Sequence, residues 1–178
     1  MIDNFHRVGE IDITQWLTHV ATLTDKIWGE DYWRQEYYSV HQDTQTIPLV
    51  FDKYFEKPIK TKHYKMFETS LMPLESVLST HYGNGFIARM ILTKLKPQGI
   101  IPEHRDTGPH FHISHRVHLP LVTTDEVLFT VGDETITMNA GELWEINNTN
   151  RLHSVVNKSD DHHRVHLITD WEPYNDIF

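Results

Sequence analysis

Residues 95–121 read LKPQGIIPEHRDTGPHFHISHRVHLPL, and residues 151–171 read RLHSVVNKSDDHHRVHLITDW. The two stretches share a pentapeptide, His115-Arg116-Val117-His118-Leu119 and His163-Arg164-Val165-His166-Leu167. On a strand, successive side chains alternate faces. Arg116 and His118 then share one face, and Val117 and Leu119 the other. Arg164 and His166 are set against Val165 and Leu167 in the same way. The apolar face can pack between two sheets or under helices. The Arg/His face has to look into a polar cavity, because a buried guanidinium without an anionic partner is very unfavourable. A cavity mouth lined by two Arg and several His suits a small anion.

Working outward, FIARMILTKLK (residues 86–96) alternates and reads as a long strand turned by Pro97-Gln98-Gly99. Further strands are expected at 114–122, 127–131, 134–138, 142–146, 153–157 and 163–170, with turns at Gly132-Asp133 and Ala140-Gly141. Short strands at this spacing, with no helices between them, predict a mainly β fold, a double-stranded β-helix of the jelly-roll type. Upstream, residues 1–11 read as an edge segment. Asp12 is expected to cap a helix reaching about Trp28, with Gln15 completing a capping box. Ile13, Trp16, Leu17, Val20, Leu23 and Ile27 form its apolar stripe. Ser39–His41 and Thr46–Phe51 read as short strands, with Pro48 marking an edge. Lys57–Lys65 is a basic loop. A second helix opens at Pro73 and runs to about Tyr82, where Gly83-Asn84-Gly85 stops it. The two helices would buttress one sheet. The whole chain, residues 1–178, reads as one domain: helical and edge-strand support over 1–85, and a jelly-roll core over 86–172.

Composition narrows the function classes. A hydrophobic content of 39% with five Trp, seven Tyr and eight Phe fits a folded globular chain. The net charge of -9 argues against a nucleic-acid partner. There is no Cys, which excludes disulfides, thiolate-bound zinc and iron–sulfur clusters. The start MIDNFHRVGE has neither a basic head nor an apolar core, and no apolar run approaches the ~20 residues of a membrane span. A cytoplasmic protein is the expectation. Of the 14 His, an unusual share falls between His104 and His166.

That share points to chemistry. His104 and Asp106 project to one side of an extended segment near a strand end, before the turn Thr107-Gly108-Pro109. A lone His-x-Asp more often pairs at the surface than binds metal. His153, on a later strand, supplies the third member of a 2-His-1-carboxylate triad, which holds Fe(II) and leaves positions open for a bidentate co-substrate and O2. Arg164 lies one strand-length beyond His153. A guanidinium can grip a carboxylate through two parallel hydrogen bonds, as the distal carboxylate of 2-oxoglutarate would require, and Thr93 could add a hydroxyl. A salt bridge from Arg164 to Asp170 or Glu172 is the competing reading. Arg116 and His118 could meet the C1 carboxylate of 2-oxoglutarate, a substrate carboxylate, or both. His110 and His112 are weaker candidates; as further metal ligands they would instead suit a cupin-type metal protein that isomerises or binds a small acid without 2-oxoglutarate. Trp144 and the aromatics of 32–38 could wall the cavity, although core packing is the commoner role for such residues.

LKPQGIIPEHRDTGP (95–109), RVHLPL (116–121), VLFTVGDE (127–134), GELWEINN (141–148), LHSVVN (152–157) and RVHLITDW (164–171) together resemble the aspartyl/asparaginyl β-hydroxylase family of Fe(II)/2-oxoglutarate oxygenases. Asp43-Thr44-Gln45-Thr46-Ile47 resembles an earlier strand of that family. The resemblance implies metal on His104 and His153, the distal carboxylate on Arg164 with Thr93, and Arg116 and His118 around the C1 carboxylate and the substrate. The best-known animal members of that family lack the acidic metal ligand. Asp106 stands there in this chain, as in bacterial and phage members and the related proline hydroxylases. The activity implied is hydroxylation of an unactivated C–H of an amino acid, peptide or peptidyl Asp/Asn-like residue, coupled to conversion of 2-oxoglutarate and O2 to succinate and CO2. The substrate would be a small molecule or peptide.

Overall fold

The computed structural model describes residues 3–51 and 57–174. Along the chain come β1 (Phe5–Glu10), α1 (Thr14–Val20), α2 (Asp25–Trp28), α3 (Trp33–Tyr37), β2 (Thr44–Val50), α4 (Tyr64–Phe67) and α5 (Leu71–Tyr82). Strands then follow one another: β3 (Gly85–Leu95), β4 (Ile100–His104), β5 (His115–Val122), β6 (Val127–Val131), β7 (Glu134–Ile136), β8 (Glu142–Ile146), β9 (His153–Asn157) and β10 (Arg164–Pro173). They form a six-stranded sheet in the order β1-β8-β5-β10-β3-β2 and a four-stranded sheet in the order β4-β9-β6-β7. The ladders are antiparallel. The fold is mainly β, of the double-stranded β-helix kind.

The shared pentapeptide lies on two neighbouring strands. β5 and β10 pair so that Thr169 faces Val117 and Asp170 faces Arg116. Both strands are internal to the larger sheet, and nearly every residue on them is buried. The apolar face of each goes under the helices, not between the sheets. Val117, Leu119, Val165 and Leu167 join Trp16, Trp28, Phe67, Leu74 and Leu78 in one apolar cluster. A second cluster, with Phe5, Leu95, Ile101, Phe129, Val131 and Val155, fills part of the space between the sheets. The Arg/His face of β5 and β10 is thereby turned toward that inter-sheet space.

The first half of the chain departs from expectation in three places. The stripe from Ile13 to Ile27 does not lie on one helix. Asp12 Oδ1 accepts from the Thr14 backbone N–H (2.9 Å) and hydroxyl (2.6 Å), closing a local turn in place of the capping box with Gln15. The helix ends at Val20, and Thr24 adopts an extended conformation and caps α2 through its hydroxyl. The break lets Trp16 and Trp28 both enter the core. Ser39–His41 is a 3₁₀ turn, not a strand. The aromatic segment before it folds into α3, and α4 closes the end of the basic loop. Pro48 does mark an edge: β2 is a terminal strand of its sheet, and its register shifts between Pro48 and Val50. Gly83, at the C-cap of α5, has φ +87°, the conformation that the glycine stop requires.

Candidate metal centre and anion site

β4 and β9 pair in the smaller sheet with His104 directly opposite His153. Their rings lie 4.2 Å apart, centroid to centroid. Asp106 sits two residues past the end of β4, where its backbone N–H donates to the Asn148 carbonyl (3.0 Å). One ligand atom from each of His104, Asp106 and His153 lies within 4.8 Å of the others, and this is the group of three found among the described residues. His110 and His112 do not join it. The His104 Nδ1–H donates to the Pro102 carbonyl (2.7 Å), which fixes the tautomer and leaves Nε2 with a lone pair facing the group. Asp106 Oδ2 accepts from Arg116 Nη1 (2.6 Å) and Asn148 Nδ2 (2.8 Å). Oδ1, 3.9 Å from His104 Nε2, is left for a cation.

The electrostatics suit a divalent ion. Burial raises the Asp106 carboxyl, but the Arg116 guanidinium, the nearby imidazoles and the Asn148 amide outweigh it and hold the group well below the usual carboxylate range. Burial, with His104 and Arg116 nearby, pushes His153 down to about 4 against the pull of Asp106. At neutral pH the pair is one carboxylate and one neutral imidazole, the forms that bind metal. Two imidazoles and a carboxylate at this spacing fit Fe(II).

Arg164 lies deeper between the sheets and is 1% exposed. Its Nη1 reaches the Thr93 hydroxyl at 3.5 Å, and its Nη2 donates to His166 Nδ1 at 2.6 Å. Nε has no hydrogen-bond partner, and no carboxylate pairs with the guanidinium among the described residues. Burial drives its pKa down to about 9, with the positive charge of Arg34 adding to the effect. The alternative bridge from Arg164 to Asp170 or Glu172 does not form: both acids lie six or more residues along the same strand, ~20 Å or more away at the rise of a strand, and Asp170 is bound by Arg116. His118, 5% exposed, has no partner at either ring nitrogen, and burial together with Arg164 keeps it neutral. Arg164, Thr93, His118 and the three candidate ligands line one inner cavity.

Arg116 is engaged differently from an open anion site. Its Nε and Nη2 donate to the two oxygens of Asp170 at 2.7 and 2.8 Å, while Nη1 holds Asp106. Phe111 covers it, with the guanidinium carbon 4.2 Å from the ring centroid. Each of its nitrogens therefore already meets a carboxylate.

An outer cavity of about 360 Å³ opens from the triad, with His104 and Asp106 in its wall. Trp33, Tyr37 and Tyr38, from α3 and the residue after it, line the cavity as walls, whereas Tyr32 is exposed and lines neither cavity. Trp144 packs against the inter-sheet apolar cluster and lines neither cavity. Arg34, His41 and Asn148 were not singled out from the sequence, while His166 is named there only on the Arg/His face and Asp170 only as a possible partner for Arg164. For His166 and Asp170 a signal existed, since both share the face of Arg164 by simple alternation along β10. Asn148 and the α3 residues carry no periodic signature.

Residues 20–173 match the family described as aspartyl/asparaginyl β-hydroxylase. A comparison with curated protein sequences gives no match. Among solved structures, a 2OG-Fe(II) oxygenase family oxidoreductase from Burkholderia pseudomallei superposes with a TM-score of 0.61 at 14% identity, covering 96% of this chain and 94% of that one. The non-heme monooxygenase ThoJ in its nickel complex gives a TM-score of 0.61 at 12% identity, covering 96% of this chain and 74% of the other. At these identities the structural matches speak for the fold, and the family match covers most of the chain. The chain belongs to the aspartyl/asparaginyl β-hydroxylase family of 2-oxoglutarate-dependent hydroxylases.

Proposed function

We propose that this protein hydroxylates an unactivated C–H of an amino acid, peptide or peptidyl side chain, with 2-oxoglutarate as co-substrate and release of succinate and CO2. The observation that carries the reading is Arg164. A buried cation with no carboxylate of its own, in the cavity that also holds a His-Asp-His group, matches a ligand that chelates a metal at one end and bears a carboxylate at the other.

In this reading His104, Asp106 and His153 hold Fe(II). Bound there, the metal supplies the activation of O2 that is coupled to oxidation of the co-substrate. Arg164 and the Thr93 hydroxyl take the distal carboxylate, and His166 orients the guanidinium through its Nδ1 acceptor. His118 has a ring nitrogen to offer the C1 carboxylate. Arg116 acts as a positioning residue: pinned by Asp170, it holds Oδ2 of Asp106 and so directs Oδ1 toward the metal position. The chain serves as one catalytic domain, with residues 1–85 supporting a core over 86–172.

Adding 2-oxoglutarate to the metal-loaded protein should raise its melting temperature, by mass action on the folded state. Arg164→Met should abolish that shift. The metal-free Arg164→Met protein should melt no lower than wild type, because the substitution removes an unpaired buried charge. A variant that still responds fully to 2-oxoglutarate refutes the assignment.

A further inference from the structure

Arg34 stands where the inner and outer cavities meet and lines both. It projects from α3, the same short helix that supplies Trp33 and Tyr37 to the outer wall. Its Nη2 donates to His41 Nε2 at 2.7 Å, and His41, buried beside it, is held neutral by that burial and by the guanidinium. No carboxylate pairs with Arg34 among the described residues. The two nearest acids, Asp106 and Asp170, are both bound by Arg116. A guanidinium carries five N–H donors, and an imidazole nitrogen accepts one of them. The outer wall is part aromatic, with Trp33, Phe51 and Phe111, and part basic, with Arg89, Arg105 and His110, and its one carboxylate is Asp106. In a chain of net charge -9, the mouth of the site is locally cationic.

We propose that Arg34 binds the carboxylate of the primary substrate, and that this substrate is a free small acid with an apolar body, of amino-acid size. The inference rests on the oxygenase reading above and adds the substrate class to it. Arg164 is already placed at the far end of the inner cavity with Thr93, so the co-substrate's distal carboxylate has its own cation. Of the four guanidinium groups in the outer wall, Arg34 and Arg116 also line the inner cavity beside the candidate metal ligands, and Arg116 is taken by Asp106 and Asp170. A residue within a polypeptide offers no carboxylate on its backbone, and one with an apolar side chain would leave Arg34 desolvated without an anion. A cavity of about 360 Å³ is at the small end of the ~300–1,000 Å³ usual for small-molecule sites. The aromatic part of its wall suits an apolar side chain, while a bidentate Arg–carboxylate contact would fix which carbon faces the metal.

The test uses the Fe(II)- and 2-oxoglutarate-loaded protein without oxygen. The visible charge-transfer band of that complex shifts when a substrate displaces ligands at the metal. The twenty free L-amino acids would be added one at a time, alongside the C-terminal amides of the same compounds. At least one free acid should shift the band and raise the melting temperature, and its amide should bind at least about tenfold more weakly, the loss that goes with a charge-assisted hydrogen bond. Arg34→Gln should weaken the free acid by a similar factor, and Arg34→Lys should recover part of it. The concentration of 2-oxoglutarate that half-forms the band should stay within about threefold of wild type in both variants. The proposal is overturned if no free acid shifts the band, if amides bind as well as acids, or if Arg34→Gln weakens 2-oxoglutarate instead of the amino acid. Failure of wild type to form the band at all overturns the underlying oxygenase reading, and so is distinct from these outcomes.

Discussion

Arg116 and Arg164 carry the same side chain on adjacent strands of one sheet, within the same pentapeptide, and they do different work. Arg116 lies opposite Asp170 across the β5–β10 pair and closes a network from Asp170 through the guanidinium to Asp106. Arg164 has no such partner, and is the group that calls for a ligand. Sequence alternation correctly put both on the cavity face. It could not separate them, because which carboxylate meets which guanidinium depends on strand register, and register is not local information. The same limit hid Asp170, visible from the sequence only as a possible partner for Arg164. Arg116→Met should leave two buried carboxylates without their cation and destabilise the fold by about 3–5 kcal/mol. Chemical denaturation would read this, with Arg116→Lys recovering only part, since an ammonium cannot reproduce the bidentate fork. A neutral effect of Arg116→Met on stability would contradict the network.

At the level of elements, β10 carries the anion-site Arg164 near its start and the Arg116 counter-ion Asp170 near its end, all on one face, while its other face is sealed by helices. That arrangement was legible, because strands with a polar and an apolar face announce themselves by period two. So were β3, the β6–β7 turn at Gly132 and the glycine stop after α5. The leading helix was not: the apolar stripe continues at helical spacing through Thr24, and only the capping preference of that residue marks the break. The segment before His41 gave no period at all, so α3, and with it Arg34, escaped notice. Gly85 tests the pairing of β3 with β10 directly. A Cβ there would meet Pro173 Cα and Trp171 Cε2 at 2.9 Å, and Pro173 is its partner across the ladder. Gly85→Ala should cost about 1–3 kcal/mol and lower the melting temperature by about 2–10 °C. Because the residue is remote from the triad, affinity for 2-oxoglutarate should not change. An unaltered melting temperature would mean that the two strand ends are not held together as described.

For the whole molecule, the unusual concentration of His has a consequence for stability. His41, His118, His153 and His166 are buried neutral, mainly through desolvation, each with its pKa below the ordinary value near 6.5. Below about pH 6.5 the unfolded chain therefore binds more protons than the folded one, so stability rises with pH and is lost as pH falls. Each such residue contributes up to about 1.4 kcal/mol per pH unit. Against a total of ~5–15 kcal/mol, the metal-free protein should unfold between about pH 4 and 5.5. Circular dichroism against pH would record it, and a metal-free fold that is equally stable at pH 7 and pH 4 would contradict the burial of these imidazoles. The same cluster, gathered round an unpaired buried guanidinium, is what makes the molecule an oxygenase in this reading. The most direct test is an anaerobic titration of the metal-free protein with Fe(II) and 2-oxoglutarate, followed by visible absorption, with His153→Ala and Arg164→Ala beside it. A metal-to-ligand charge-transfer band in wild type, absent in His153→Ala and weakened in Arg164→Ala, is the expected result. Metal binding by wild type without that band would contradict it and favour a cupin-type metal protein that does not use 2-oxoglutarate.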